Sequence, residues 1–202
     1  MNNPSQTRTP RQLTRADILP LDDYVKIRRD RRREISELKR QRRVEIGPFA
    51  TFYFENFATM WQQVQEMLYI EKGGEAQIAD ELAAYNPLIP QGSELVATVM
   101  FEIDDPRRRA TSLARLGGIE NCAFIDIAGD KTRGEPDPTR ENTDPDGKAS
   151  AVQFIRFPFT PQQIAAFKKP GAQIVIGFDH PNYSHMAVMP EPVRAALAED
   201  FD

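Results

Sequence analysis

The chain has 202 residues, of which 40% are hydrophobic and 28% charged, and its formal net charge is −4. This size and composition are typical of one globular domain with its own core, and no apolar run approaches the roughly 20 residues that span a bilayer. The single cysteine, Cys122, excludes an intramolecular disulfide, and the first residues contain no apolar signal segment. The sequence therefore predicts a cytoplasmic protein without a membrane partner.

The charge is distributed unevenly along the chain. Residues 26–43, KIRRDRRREISELKRQRR, hold ten basic and three acidic side chains, a local charge of +7, so the rest of the chain carries −11. Such asymmetry marks a surface for nucleic acid or for an acidic partner, unless the chain's own carboxylates neutralise it.

The N-terminal third is predicted to be helical. After a disordered tail at residues 1–12, a helix begins at one of the aspartates between residues 17 and 23 and runs to about Arg42. A turn at Gly47-Pro48 follows. The next elements are a strand and two helices, expected over residues 49–54, 56–71 and 75–85.

The second half of the chain is predicted to alternate strands with helices. The strands are expected over residues 94–103, 122–129, 151–159, 172–178 and 184–189. Helices are expected in DDPRRRATSLARLGG, after Thr160 and in PEPVRAALAED. Residues 130–149 hold almost no apolar side chains and are predicted to form a long polar loop, either a functional lid or disordered. Residues 13–202 are thus expected to form a single α+β domain, with a mainly antiparallel or mixed sheet packed by helices.

A polar pair precedes the second helix in FENFATMWQQVQEML. Asn56 is expected to cap this helix, with Glu55 near its positive end. Glu55, Thr59, Gln62 and Glu66 also recur at spacings of four and three, so they line one polar face. We expect this face to pair with arginines of the first helix, and a hard cation held by its oxygens is the alternative.

Both histidines lie in DHPNYSH, residues 179–185. His180 and His185, with Asp179 as a third ligand, are the candidate metal site, or His180 is an acid-base group oriented by Asp179. The structural alternative is a tight turn, because Asp, Pro and Asn all favour turns. No histidine precedes position 180, which excludes the paired Glu-x-x-His elements of a ferritin-like di-iron site.

The basic helix is the candidate surface for a protein partner. Its predicted contact residues are Arg29, Arg32, Arg33 and Arg40. Acidic residues alternate with these arginines, and no helix-turn-helix or RNA-binding motif occurs, so nucleic-acid binding ranks third among the functions considered.

A pocket assembled from distant segments is the second function considered. In it, arginines of the first helix clamp a carboxylate or phosphate beside the Glu55-Asn56 pair and the histidine turn. Its candidate residues are Arg28, Arg31, Glu55, Asn56, Glu66 and Tyr183. The protein would then be a metal- or cofactor-binding enzyme, although no nucleotide-binding, zinc-protease or serine-hydrolase motif occurs. Catalytic residues, cofactor and oligomeric state stay unassigned, and Cys122 is expected to be a small buried hydrophobe.

Several motifs resemble those of a bacterial domain-of-unknown-function family. They are RRVEIGP, FEN followed by QEML, YNPLIP, ELVATVMFEI, AVQFIRF and HPNY, and they extend over the chain from about residue 13. The resemblance implies no reaction. Genes of that family often lie beside genes for rubrerythrin-like proteins and iron-sulfur oxidoreductases, which implies a redox or oxidative-stress setting by association. The leading prediction is therefore a non-catalytic accessory protein that docks a redox partner through its basic helix.

Overall fold

The computed structural model describes residues 11–202, which form an α+β fold with two antiparallel sheets, as predicted. The strands are β1 (Arg43–Ile46), β2 (Ala50–Phe54), β3 (Glu94–Phe101), β4 (Ala123–Ile127), β5 (Asp130–Arg133), β6 (Glu135–Pro136), β7 (Val152–Pro158), β8 (Ile174–His180) and β9 (Tyr183–Val188). The five-stranded sheet has the order β1-β2-β3-β7-β6, and the four-stranded sheet has the order β5-β4-β8-β9.

Six α-helices accompany the sheets. They are α1 (Leu21–Arg40), α2 (Phe57–Glu71), α3 (Glu75–Tyr85), α4 (Pro106–Leu113), α5 (Pro161–Phe167) and α6 (Glu191–Ala198). Short 3₁₀ turns lie at Arg15–Asp17, Asn86–Leu88 and Ile119–Asn121. None of the helices within residues 11–202 combines the length and hydropathy needed to cross a bilayer.

The main core lies between the two sheets. Side chains alternate along each strand, so every second residue of β2, β7 and β8 points inward. Phe52, Phe157 and Phe178 meet there, and the rings of Phe52 and Phe178 stack with centroids 5.0 Å apart. Each fully buried phenylalanine stabilises the fold by about 1.5–3 kcal/mol. Phe167 of α5 and Leu197 of α6 extend the same core.

The other face of the five-stranded sheet is covered by helices. Val96 of β3 and Phe154 of β7 pack there against Met60 and Val64 of α2 and Leu88 after α3. The five-stranded sheet is therefore the middle of three layers, with α2 and α3 on one side and the four-stranded sheet on the other.

Local capping signals place α2 and α3. The Asn56 Oδ1 atom accepts a hydrogen bond from the Thr59 N–H at 3.0 Å, and the Thr59 hydroxyl accepts one from the Asn56 N–H at 2.9 Å. This reciprocal cap confirms Asn56 as the helix start. Gly74, whose φ is +67°, precedes α3, and Pro87 lies just beyond its end.

The long polar loop predicted over residues 130–149 is partly wrong, since β5 and β6 occupy its first residues. Ala128 and Gly129 have φ values of 53° and 94°, and two left-handed residues in succession form the tight turn that matches strand twist. This turn pairs β5 with β4. Because β5 gains its stability from backbone pairing, its polar side chains gave no strand signal in the sequence.

Two further boundaries differ from prediction near the N-terminus. The first helix ends at Arg40, because residues 43–46 form β1 and pair with β2. The predicted tail falls mostly outside the described residues, but Arg11 is anchored: its guanidinium donates to the carbonyl oxygens of Pro90 and Asp200 at 3.1 and 2.7 Å.

Candidate functional site

Helix α1 is held against α2 by a polar network around Glu66. Arg28 donates from Nε and Nη2 to the two Glu66 carboxylate oxygens, at 2.9 and 2.8 Å. The Tyr24 hydroxyl donates to the same carboxylate and accepts a hydrogen bond from the Gln62 amide. The Arg28 guanidinium also lies 4.1 Å from the centre of the Tyr69 ring. The polar face of α2 therefore pairs with an arginine of α1, as its spacing indicated.

The charges in this network are fixed near neutral pH. Burial would raise the pKa of Glu66, but hydrogen bonds from Arg28 and Tyr24 outweigh it and hold the pKa below its usual value. Burial, followed by the hydrogen bond to Glu66, raises the pKa of Tyr24. The carboxylate thus stays ionised and the phenol stays protonated, so the network fastens the helix and supplies no titrating acid-base pair.

Glu55 does not belong to this network. One of its carboxylate oxygens accepts a hydrogen bond from the Thr98 hydroxyl at 2.7 Å, on the helix-covered face of β3. Only 5% of Glu55 is exposed, and its second oxygen has no hydrogen-bond partner among residues 11–202. The predicted polar stripe therefore divides: Thr59 joins Asn56 in the cap of α2, Glu55 binds β3, and Gln62 and Glu66 bind α1.

Arg31 lies one turn after Arg28 in α1 and contacts a different part of α2. Its guanidinium is 5.1 Å from the centre of the Trp61 ring and donates to Glu34 at 2.8 Å. Beside it runs a groove of about 530 Å³ between the two helices. Its apolar lining is Leu19, Ile35, Leu38, Phe57, Ala58 and Trp61.

The outer surface of α1 carries both paired and unpaired basic side chains. Four pairs at i,i+3 spacing neutralise one part of it: Lys26–Asp23, Arg31–Glu34, Arg33–Asp30 and Arg40–Glu37. By contrast, Arg29, Arg32 and Lys39 form no ion pair with any other side chain of residues 11–202. Arg32 and Lys39 are seven residues apart and Arg29 is one turn before Arg32, so the three share one side of the helix.

We call Arg29, Arg32 and Lys39 the basic stripe; Arg29 and Arg32 are exposed, and Lys39 is half-buried. Leu21 and Val25 continue it toward the start of α1, and 41% and 50% of these side chains are exposed. Lys39 escaped the sequence-based prediction, while Arg33 and Arg40, which it did include, are occupied by Asp30 and Glu37. The i,i+3 spacing of these acidic partners was the signal that separates the two groups.

The histidine turn has a structural use on the four-stranded sheet. Tyr183, at the start of β9, donates its hydroxyl to the Ile46 carbonyl at 2.6 Å and accepts from the Ala50 N–H at 3.0 Å. The ring of His185 packs against Tyr183 with centroids 4.6 Å apart. Burial raises the pKa of Tyr183, which keeps the hydroxyl protonated as a link between the sheets.

The three predicted metal ligands do not converge. His180 contacts the Gly117 carbonyl through Nε2 at 3.2 Å and accepts the Asn182 N–H at Nδ1. Asp179 is next to it in β8, so its side chain points to the opposite face, where it accepts a hydrogen bond from Arg133 at 2.6 Å. That hydrogen bond lowers the pKa of Asp179. Within residues 11–202, no group of three His, Cys, Asp or Glu side chains is placed to hold a metal ion.

Comparison with known proteins places the chain in a family. Residues 12–201 match the family described as "Protein of unknown function (DUF3501)". The chain belongs to the DUF3501 family. A similar crystal structure is described as a novel protein of unknown function from Burkholderia pseudomallei K96243, at 1.90 Å resolution. It is 39% identical, with a TM-score of 0.87 over 95% of this chain and 100% of that one. No curated protein matches the chain.

The DUF3501 fold keeps the residues of the predicted combined pocket in separate places. Arg28 and Glu66 lie between α1 and α2, on the helix side of the five-stranded sheet. His180 and Tyr183 belong to the four-stranded sheet, on its other side. Each of them is hydrogen-bonded to its own neighbours, and the five-stranded sheet separates the two groups.

One buried ion pair of the DUF3501 chain escaped sequence analysis. Arg42 and Asp200 are 2% and 4% exposed and form a hydrogen-bonded pair. Arg42 also donates to the carbonyl oxygens of Phe54 and Glu55, so it joins the end of β2 to the C-terminal segment. Burial raises the pKa of Asp200 although Arg42 opposes this. Arg42 and Asp200 are 158 residues apart in sequence, so the run of basic residues that includes Arg42 did not reveal its partner.

The sequence predicted that Cys122 is a small buried residue, but the structure shows that it is half-buried. Burial, and the nearby charge of Asp179, raise the pKa of its thiol. A raised pKa keeps the sulfur protonated and therefore a poor nucleophile.

Proposed function

We propose that this protein is a non-catalytic binding protein that docks an acidic protein partner through the basic stripe of α1. The observation that carries the proposal is the charge state of the stripe: Arg29, Arg32 and Lys39 form no ion pair within residues 11–202, whereas the five other basic residues of the helix do. An acidic surface would supply the missing charges.

The attachment of α1 favours this use. Tyr24 is the single fully buried residue of the helix, and the Arg28–Glu66 pair fixes the same edge. The helix is thus presented on a rigid support while its outer side stays in solvent. A partner would not have to order it, which lowers the entropic cost of association.

The stripe joins charge to apolar surface. Complementary charges raise the association rate and select the orientation of the partner. The exposed parts of Leu21 and Val25 would add burial, at about 25 cal/mol for each Å² of apolar surface removed from water. Charge therefore confers selectivity here, and the apolar residues extend the lifetime of the complex.

The family resemblance favours a redox protein as this partner. A partner that works in electron transfer would form a small, charge-steered and transient interface, which suits three unpaired basic side chains.

Charge reversal tests the proposal. The stripe variant combines Arg29→Glu, Arg32→Glu and Lys39→Glu, and the matched control combines Arg107→Glu, Arg108→Glu and Arg115→Glu, three exposed residues in and after α4. Each protein is used to capture partners from the native bacterium, and captured proteins are purified for titration.

We expect an acidic protein that binds wild type and control alike, and the stripe variant at least about tenfold more weakly, with affinity that falls as salt rises. Equal binding of the stripe variant would contradict the proposal. Retention of duplex DNA in place of any acidic protein would favour the nucleic-acid alternative.

A further inference from the structure

A second cavity lies on the helix side of the five-stranded sheet, away from the basic stripe. It measures about 390 Å³, within the range of small-ligand sites. Its floor is formed by Val96 and Phe154, its roof by Pro87 and Leu88 after α3, and its outer wall by the segment at residues 135–140. That wall is part of residues 130–149, which the sequence predicted to be a polar loop that is either a functional lid or disordered.

Arg140 stands in this wall with its hydrogen-bonding groups free. Its guanidinium lies 5.3 Å from the centre of the Phe154 ring. Its Nε atom forms a long ion pair with the Asp137 carboxylate at 4.0 Å, which is beyond hydrogen-bond distance. Within residues 11–202 the Arg140 side chain donates no hydrogen bond, so its planar fork of donors is available to a ligand that shares the guanidinium with this long ion pair.

A second arginine of the cavity, Arg156, differs from Arg140 because its guanidinium is hydrogen-bonded. Arg156 donates to the Glu94 carboxylate at 2.9 Å and to the Pro87 carbonyl at 3.1 Å. These contacts use its charge and fix its position in the wall. Arg140 is therefore the group that can receive an anion.

The segment that carries Arg140 is fixed in place. Asn142 is 9% exposed, and its amide donates to the carbonyl oxygens of Asp137 and Arg140 at 3.1 and 3.2 Å. The Asp137 N–H donates to the Phe154 carbonyl at 2.9 Å, which ties the segment to β7. A guanidinium on such a support binds a ligand with little loss of backbone entropy.

We infer that this cavity binds a small organic acid with one carboxylate and an apolar body. The fork of Arg140 matches the geometry of a carboxylate and binds it through two parallel hydrogen bonds. The apolar body would rest on Val96, Leu88 and the ring of Phe154. Glu135 and Asp137 line the same cavity and repel negative charge, and this repulsion is greater for a dianion, so a monocarboxylate is preferred over a dianionic phosphate ester.

Calorimetric titration of the full chain tests the inference with three probes of similar size: phenylacetate, its neutral amide phenylacetamide, and phenyl phosphate. Phenylacetate should bind saturably with a stoichiometry of one, and the amide at least about tenfold more weakly because it lacks the charge. Phenyl phosphate should bind no more tightly than phenylacetate.

Variants locate the site. Arg140→Ala should abolish binding of phenylacetate, and Arg140→Lys should restore only part of it, because lysine keeps the charge but not the fork. Arg133→Ala, which removes an exposed arginine of the four-stranded sheet, should bind like wild type. The melting temperature of each variant shows that the fold is retained, since 48% of the Arg140 side chain is exposed.

Two results would overturn the inference. One is the absence of saturable phenylacetate binding to wild type up to about 10 mM, an affinity too weak for a preformed site. The other is undiminished binding by Arg140→Ala. Amide NMR shifts on addition of phenylacetate give an independent check, since they should centre on Arg140 and Phe154.

Discussion

Arg28 and Glu66 join α1 to α2 through two parallel hydrogen bonds of 2.9 and 2.8 Å. About a quarter of each side chain is exposed, so the pair is neither a surface contact nor a fully desolvated one. It fixes the edge of α1 that faces the body and thereby leaves Arg29 and Arg32 of the basic stripe exposed to solvent.

Arg28→Ala should lower the free energy of unfolding by about 1–2 kcal/mol, because it leaves the Glu66 carboxylate without its main partner. Urea unfolding measures this directly. Arg33→Ala is the matched control, since its i,i+3 pair with Asp30 is exposed and should contribute less than about 0.5 kcal/mol. Equal losses in the two variants would show that the α1–α2 pair has no special part in stability.

Acidification should loosen α1. The folded pKa of Glu66 lies below its unfolded value. Its contribution to stability is therefore complete above the unfolded pKa, about 4.3 for glutamate, and is lost as pH falls through the folded pKa. Trp61, the single tryptophan of the chain, lies beside Tyr24 and Arg31 and reports the change by fluorescence.

Glu66→Gln supplies the comparison for that titration. Because glutamine does not ionise, the variant should start less stable at neutral pH and lose less stability between pH 5 and pH 3 than wild type. If the stability of wild type and of Glu66→Gln fell equally with pH, the acid sensitivity would belong to other carboxylates.

Removal of Arg42 should be more damaging than removal of Arg28. Arg42→Met leaves the Asp200 carboxylate buried without its partner, at a cost of about 3–5 kcal/mol. The double variant Arg42→Met/Asp200→Leu removes both charges and should recover a large part of that loss. Chemical unfolding measures the stability of the single and double variants. A double variant less stable than the single variant would contradict this description.

The turn between β4 and β5 offers a stabilising change. Ala128 holds a left-handed conformation with φ at 53°, which an alanine adopts at a cost of about 1–2 kcal/mol. Ala128→Asn creates the Asn-Gly pair preferred in this turn and should raise stability by about 0.5–1 kcal/mol. Thermal unfolding checks this, and a lowered melting temperature would mean that the turn is held by other contacts.

These contacts show which parts of the structure were predictable. The start of α2 at Asn56 and the bounds of α3 follow from caps and breakers within a few residues, so the sequence predicted them. β5 and β6 were missed because they are short and polar, so they lack the alternation of apolar residues that predicts a strand. Pairing across α1 and α2 was predicted with Gln62 and Glu66 on the polar face of α2, but the spacing did not single out Arg28 and Tyr24 as their partners.

The candidate sites divide in the same way. The basic helix was predicted from composition, but the identity of its unpaired residues depends on which carboxylates lie one turn away. The Arg140 cavity was not predictable, because Leu88, Val96 and Phe154 reach it from three separate elements. Of the three residues proposed as metal ligands, Asp179 and His180 are adjacent in β8 and face opposite sides of it, and His185 lies on β9.

Photo-crosslinking from α1 tests the central claim most directly. A benzophenone-bearing phenylalanine replaces Ser36, which is exposed between Arg32 and Lys39, and in a matched protein it replaces the exposed Thr111 of α4. On irradiation of cells of the native bacterium, position 36 should form an adduct with an acidic protein, and reversal of the three stripe charges should remove that adduct. An adduct that forms equally from position 111, or that survives reversal of the stripe, would contradict docking through α1.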